Sequence, residues 1–243
     1  MEKSVVISTS DGKKIFGTLR RSKTPSRGIL IFVHGFAGTA QEHLLYNGAH
    51  FFSARGYDTF RFDLYRGGES RRFIDCTLQI HGADLTRIFK YFRRKYKKVC
   101  VVGHSLGGLT VLASDVSLLD GIFLWECSTS GSLRKKHNWL KPLKKLNCYV
   151  TEGGIGMLTS SALVESWRDF PLPHDAAKVL TKPLFVGIAG RSILMDAGND
   201  YYQYAPTKIK NMVVIPNCRH CFDEDDSAFE LLRASHKFLK KLF

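Results

Sequence analysis

Six short apolar runs punctuate the chain, at residues 29–33 (ILIFV), 59–62 (TFRF), 99–102 (VCVV), 121–125 (GIFLW), 184–188 (LFVGI) and 212–215 (MVVI). Most of them are apolar at consecutive positions, the pattern of strands buried on both faces of a parallel sheet. Helix-length segments separate them, and the alternation predicts an α/β architecture. Helical spacing of apolar residues runs over roughly 41–55, 78–96, 106–114 and 227–243. In the second of these, Leu85, Ile88, Phe89 and Phe92 form one stripe. In the last, Phe229, Leu232 and Leu239 form one line and Leu231, Phe238 and Leu242 another, which predicts broad packing on the sheet. Ahead of all this, residues 5–8 and 14–19 flank Asp11-Gly12, a hairpin signal, so the chain opens with two antiparallel strands.

The alternation breaks once. Between the sixth strand, ending at Trp125, and the seventh, starting at Leu184, the chain is far longer than a crossover requires. It contains Ser130-Gly-Ser132, a basic stretch over 134–145, Thr151-Glu-Gly-Gly-Ile-Gly156 and Phe170-Pro-Leu-Pro173. Long excursions in a compact domain are usually lids or inserted subdomains. Residues 128–173 are therefore assigned to a cap, with 1–127 and 174–243 forming the core. No internal repeat or low-complexity linker is visible.

A chain of 243 residues that is 44% hydrophobic and 24% charged is ordinary for a single globular domain. Its opening, MEKSVVISTSDGKK, is not a basic cluster followed by a long apolar run, and no later stretch approaches bilayer length, so a cytoplasmic protein is expected. The net charge of +14 raises nucleic acid, anionic membranes and acidic substrates as partners. That charge is dispersed, however, with its densest runs at 87–98 and 134–145. The first lies on the helix with the apolar stripe and reads as a solvated face; with no nucleic-acid-binding motif beside it, no specific nucleic-acid partner is expected. The second lies in the cap, where weak contact with an anionic surface or substrate is expected. Six cysteines without framework spacing read as reduced thiols. Cys218-Arg-His-Cys221 is formally a C-x-x-C pair, but it lacks the helix-opening context of a redox site and the second ligand pair of a structural zinc, so neither metal nor cofactor is expected. Nothing in the pattern specifies an oligomeric state.

The chemistry concentrates at Val101-Val-Gly-His-Ser-Leu-Gly-Gly108, where Gly103-x-Ser105-x-Gly107 directly follows an apolar strand and precedes a helical pattern. A tight strand-to-helix turn leaves no room for side chains two positions either side of the serine, and it projects the hydroxyl out of the sheet. The following helix turns its free N–H groups toward that hydroxyl. A hydroxyl needs a base within hydrogen-bond reach to become a nucleophile. His220, in a short loop between the last strand and the last helix, is the best placed. His34 and His104 adjoin glycine turns and read as loop geometry, while His81, His137, His174 and His236 have no comparable context. An oxyanion needs converging backbone donors, and the N–H groups of Phe36, after the 29–33 strand, and Leu106 are expected to supply them.

His34-Gly-Phe36, the loop from Asp63 to Ser70, Gly103-His-Ser-Leu-Gly-Gly108 and His220-Cys-Phe222 stand in the order and spacing of α/β-hydrolase carboxylesterases. Over nearly its whole length the chain resembles the small cytoplasmic cinnamoyl and feruloyl esterases, which also carry a cap between the sixth and seventh strands. The resemblance implies cofactor-free hydrolysis of small-molecule carboxylic esters, aryl or of short to medium acyl chain, through an acyl-serine. Two departures stand out. Arg66 occupies a position usually held by glycine, which predicts a reshaped pocket wall. Ser192, within Ala189-Gly-Arg-Ser-Ile193, occupies the position where relatives place the acid of the triad, and a serine cannot hold charge against an imidazolium. Three acids are alternatives: Glu126 at the end of the sixth strand, where haloalkane dehalogenases of the same fold carry a carboxylate, then Asp196, then Asp200. Glu126 is favoured over Asp196, and a carboxylate merely paired with a cap Lys or Arg is its structural alternative. Rival functions are a monoacylglycerol lipase, an acyl-thioester hydrolase, and a binding module that has lost its acid.

Overall fold

The computed structural model describes residues 1–134, 140–151 and 156–243, apart from the Arg134 side chain. In chain order its strands are β1 (Glu2–Ser8), β2 (Lys14–Arg20), β3 (Ile29–Val33), β4 (Asp58–Phe62), β5 (Val99–His104), β6 (Gly121–Trp125), β7 (Leu140–Leu143), β8 (Cys148–Thr151), β9 (Leu158–Ser160), β10 (Leu184–Ala189) and β11 (Lys210–Ile215). The helices are α1 (His43–Ser53), α2 (Leu78–Arg93), α3 (Leu106–Leu112), α4 (Gly131–Arg134), α5 (Ser161–Arg168), α6 (Pro173–Ala176), α7 (Met195–Tyr204) and α8 (Ser227–Leu239). One eight-stranded sheet takes the order β1-β2-β4-β3-β5-β6-β10-β11. The hairpin β1–β2 and its junction to β4 are antiparallel, and every pairing beyond is parallel.

Position in the sheet explains the burial along each strand. Every residue of β3, β4, β5, β6 and β10 is buried, because helices cover both faces there. At the edge, β11 buries only Ile215. Along β3 the side chains alternate between two cores. Leu30 and Phe32 join Leu44, Phe52, Trp125, Phe185, Leu231 and Phe238 under α1 and α8. Ile29, Ile31 and Val33 join Leu85, Ile88, Phe89, Ile122 and Ile188 under α2, α3 and α7. Each such side chain contributes about 1.5–3 kcal/mol by leaving water. In α8 the two expected lines are unequal, since Phe229 is left exposed while Leu231, Leu232, Phe238 and Leu239 are buried.

Helix α7 lies in a stretch where the apolar pattern predicts no helix. Its buried face consists of Ala197, Gly198 and Tyr201, and a Cβ on Gly198 would come 2.4 Å from Ile188 Cδ1. A helix packed this closely through small residues carries little hydrophobic signal.

The long segment between β6 and β10 contains the antiparallel sheet β7-β8-β9 and helices α4 and α5. Ser160 and Ser166 tie it to the core. Ser160 Oγ donates to the Cys76 carbonyl (2.7 Å) and accepts from Leu163 N–H (2.8 Å), and Leu78 N–H donates to Ser166 Oγ (3.1 Å). Parts of the basic run at 134–145 and of the glycine stretch at 151–156, with His137, lie outside the described residues. Among the described residues no helix is long and apolar enough to cross a membrane.

Candidate active site

Ser105 sits at the turn from β5 into α3 with φ 54° and ψ −120°. A non-glycine residue held in this region costs about 1–3 kcal/mol unless its surroundings impose it. Here they do. Ser105 N–H donates to the Trp125 carbonyl (3.0 Å), and its own carbonyl accepts from Gly108 N–H (2.9 Å) and Ser128 N–H (3.1 Å). The flanking glycines are required by contact: a Cβ on Gly107 would lie 2.3 Å from the Val33 carbonyl oxygen, one on Gly103 2.7 Å from that of Gly107, and one on Gly108 2.4 Å from Cys127 Sγ.

His220 Nε2 lies 2.8 Å from Ser105 Oγ, and its Nδ1 lies 3.1 Å from Glu126 Oε2. With the Nδ1 proton directed at Glu126, Nε2 is left to accept the Ser105 hydroxyl proton. Glu126 is 1% exposed and directly follows β6 with φ 47°, a conformation held by its N–H donating to the Gly187 carbonyl (2.8 Å). Its other oxygen, Oε1, accepts from Ala189 N–H (2.7 Å). Oε2 also accepts from the Ser192 hydroxyl, which itself accepts Leu194 N–H at 2.9 Å. A buried carboxylate receiving several hydrogen bonds is one whose charge the protein stabilises. The backbone behind His220 is fixed as well, by His104 Nε2–H donating to the His220 carbonyl (3.1 Å).

The glycine of His34-Gly-Phe36 brings that loop against the nucleophile, since a Cβ on Gly35 would come 3.1 Å from Ser105 Cβ. His34 braces the loop: its Nδ1–H donates to the Gly35 carbonyl (2.8 Å), and its Nε2 accepts Leu64 N–H (2.9 Å). Burial pushes the His34 imidazole down to about 4 and that of His104 to about 3, so both serve as neutral struts rather than bases. Phe36 and Leu106 therefore flank Ser105 from two sides, one on this loop and one opening α3.

A cavity of about 470 Å³ opens over these groups, lined by Phe36, Ser105, Ser128, Trp167, Arg191, Ser192, Ile193, Leu194, Arg219 and His220 among others. A second, of about 210 Å³, meets it at Phe36, Ser105 and His220 and is lined on its far side by Glu42, His43 and Asp223. Trp167 reaches the first from α5, with its Nε1–H donating to the Thr129 carbonyl (3.1 Å). Arg66 lines neither. It lies over the Phe16 ring, 5.2 Å from its centroid, and faces a separate depression with Asp63, Tyr65 and Arg72.

The structure thus brings Ser105, His220 and Glu126 into one hydrogen-bonded line. Asp196 and Asp200 lie on α7, and among the described residues neither bonds to His220. Two groups escape the sequence reading. Ser128 Oγ lies 3.2 Å from Ser105 Oγ, and its carbonyl accepts from Tyr201 OH (2.8 Å). Ser192, read as a vacancy in the triad, is a donor to Glu126; its alignment with the usual acid position is the signal that places it here. Of the C-x-x-C pair, Cys218 is buried and Cys221 exposed, both free thiols, and among the described residues no group of His, Cys, Asp or Glu is arranged to hold a metal.

Residues 30–234 match the model of the alpha/beta hydrolase family. No curated protein matches the sequence. Among solved structures, the ferulic-acid-bound form of Est1E from Butyrivibrio proteoclasticus superposes with a TM-score of 0.83 at 20% identity, covering 98% of each chain. The esterase domain of a Rhodothermus marinus protein superposes with a TM-score of 0.74 at 16% identity, over 99% of this chain and 98% of that one. Mouse alpha/beta hydrolase domain-containing protein 10 does so with a TM-score of 0.78 at 16% identity, over 99% and 100%. At such identities the likeness concerns the fold.

Proposed function

The chain belongs to the alpha/beta hydrolase family, and on that premise we propose that it is a serine hydrolase of carboxylic esters, with Ser105 as nucleophile, His220 as general base and Glu126 as the acid. The observation that carries this reading is the unbroken line from Ser105 Oγ to His220 Nε2 at 2.8 Å and from His220 Nδ1 to Glu126 Oε2 at 3.1 Å.

Ser105 Oγ attacks the ester carbonyl as His220 takes its proton. Glu126 holds the ring in the tautomer that can accept it, then offsets the imidazolium charge without itself being protonated. The carbonyl oxygen becomes an oxyanion, received by the N–H groups of Phe36 and Leu106. His220 returns the proton to the departing alcohol, leaving an acyl-serine. Water then gives a proton to His220 as its oxygen attacks the acyl carbon; the bond to Ser105 Oγ breaks, His220 returns the proton to Oγ, and the acid leaves. Ser128, donating to Ser105 Oγ, keeps the hydroxyl turned toward His220.

Residues 128–173 act as a cap through Trp167, which with Phe36 (ring centroids 5.7 Å apart) suits a flat or short acyl group; the aromatic acid held by Est1E is a precedent in size. Ser192 is the feature that would favour a binding module without an acid, and its donation to Glu126 supports the hydrolase reading instead. A fluorophosphonate probe tests the proposal. Wild type is expected to be labelled and Ser105→Ala not, with p-nitrophenyl ester turnover falling about 10⁴-fold or more in the variant. An unlabelled wild type refutes it.

A further inference from the structure

The two cavities that meet at Ser105 differ in charge. The larger is lined by Arg191 and Arg219 and, among the described residues, by no acidic one. The smaller is lined by Glu42 and Asp223, with His43 Nε2 3.0 Å from Asp223 Oδ1. Among the described residues neither Arg191 nor Arg219 forms an ion pair. Both are exposed, and the loops that carry them are locked together by backbone hydrogen bonds: Gly190 N–H donates to the Ile215 carbonyl (2.7 Å) and Arg191 N–H to the Cys218 carbonyl (2.9 Å). Glu224, which does not line the cavity, accepts Arg219 N–H at 3.0 Å, and that bond together with the charges of both arginines holds its carboxyl below the usual range. Two like charges lining one cavity, beside the nucleophile, are complementary to an anion placed there. Guanidinium groups pair well with carboxylate and phosphate oxygens. The acidic smaller cavity repels the same anion, which sets the substrate's direction across Ser105.

We propose that the preferred substrates are esters carrying a second, anionic group, and that Arg191 and Arg219 determine this specificity by binding that group in the larger cavity. This rests on the serine-hydrolase reading above.

The test compares kcat/KM for mono-p-nitrophenyl glutarate, whose acyl group ends in a carboxylate, with that for p-nitrophenyl pentanoate, its neutral counterpart. The wild type is expected to prefer the anionic ester by about tenfold or more, the scale of one or two charged hydrogen bonds discounted for exposure. In the double variant Arg191→Gln/Arg219→Gln that ratio is expected to collapse toward unity, mainly through KM for the anionic ester, and high salt should lower it in the wild type. Lys90→Gln, which removes a like charge from α2, should keep the ratio. Competition by glutarate and by glycerol phosphate, lost in the double variant, identifies whether carboxylate or phosphate is the better fit. Equal turnover of both esters, or a preference indifferent to the two arginines, overturns the inference alone. Turnover of neither ester by a wild type that also escapes fluorophosphonate overturns the hydrolase reading with it.

Discussion

The carboxyl ends of β6 and β10 are neighbours in the sheet and do opposite things. Trp125 pairs with Gly187 in parallel register, so Glu126 and the loop after Ala189 emerge side by side. In the resembling esterases the acid stands on the second of these ends; in this chain that end carries Ser192 and the first carries the carboxylate. The exchange has a geometric cost. Strand β10 lies between β6 and β11, the strand that leads to His220, so an acid on β6 must reach about one strand spacing, 4.8 Å, further. The glutamate side chain spans it, with Oε2 3.1 Å from His220 Nδ1. Ser192, at the end where those esterases carry the acid, donates to the Glu126 carboxylate. What a triad requires is a carboxylate at a point in space, and adjacent strand ends offer two routes to that point.

Glu126→Gln breaks the comparison most severely. The amide can present its N–H₂ to Nδ1 and favour the wrong tautomer, so kcat/KM is expected to fall about 10⁴-fold with the fold intact by circular dichroism. Restoring the carboxylate from the other strand sharpens it: Glu126→Gln/Ser192→Asp is expected to recover about 10- to 100-fold over the single variant, and no recovery would mean that the two ends are not interchangeable here. Acidification probes the framework rather than the acid. Burial lowers His34 to about 4 and His81 and His104 to about 3, from an ordinary 6.5. Between those values the unfolded chain binds protons that the folded one refuses, so this contribution is fully present above pH 6.5 and lost as pH falls below it. Each ring subtracts about 2 kcal/mol by pH 5, and denaturant melts across pH 5–7 should show the decline, flattened at His81→Leu. Ser192→Ala leaves Glu126 its Ala189 N–H and costs less, about tenfold in kcat, with a shifted pH–rate profile that a merely structural role would not produce. Asp196→Asn should change turnover less than about twofold; a collapse there would assign the acid to α7.

Much of the architecture was legible because it is written in local pattern. Consecutive apolar residues at 29–33, 99–102 and 121–125 mark strands covered on both faces, and they are fully buried. Gly103, Gly107 and Gly108 mark a turn too tight for side chains, and each meets another atom within 3 Å of where its Cβ would stand. Helix α7 and the sheet β7-β8-β9 were not legible, the former because it packs through small residues and the latter because short strands within an insertion carry few apolar positions.

The amino-acid order by itself determined the parallel sheet with its opening hairpin, the serine at the strand-to-helix turn and the histidine after the last strand, since each depends on neighbours close in sequence. It narrowed the acid to three residues and ranked Glu126 first. Only the tertiary structure joined His220 to Glu126 across 94 residues and to Ser105 across 115, turned Ser192 from a gap into a donor, and set two arginines on one cavity and two acids on the other. Those relations depend on which strand ends lie side by side, and that order is set by packing of the whole sheet.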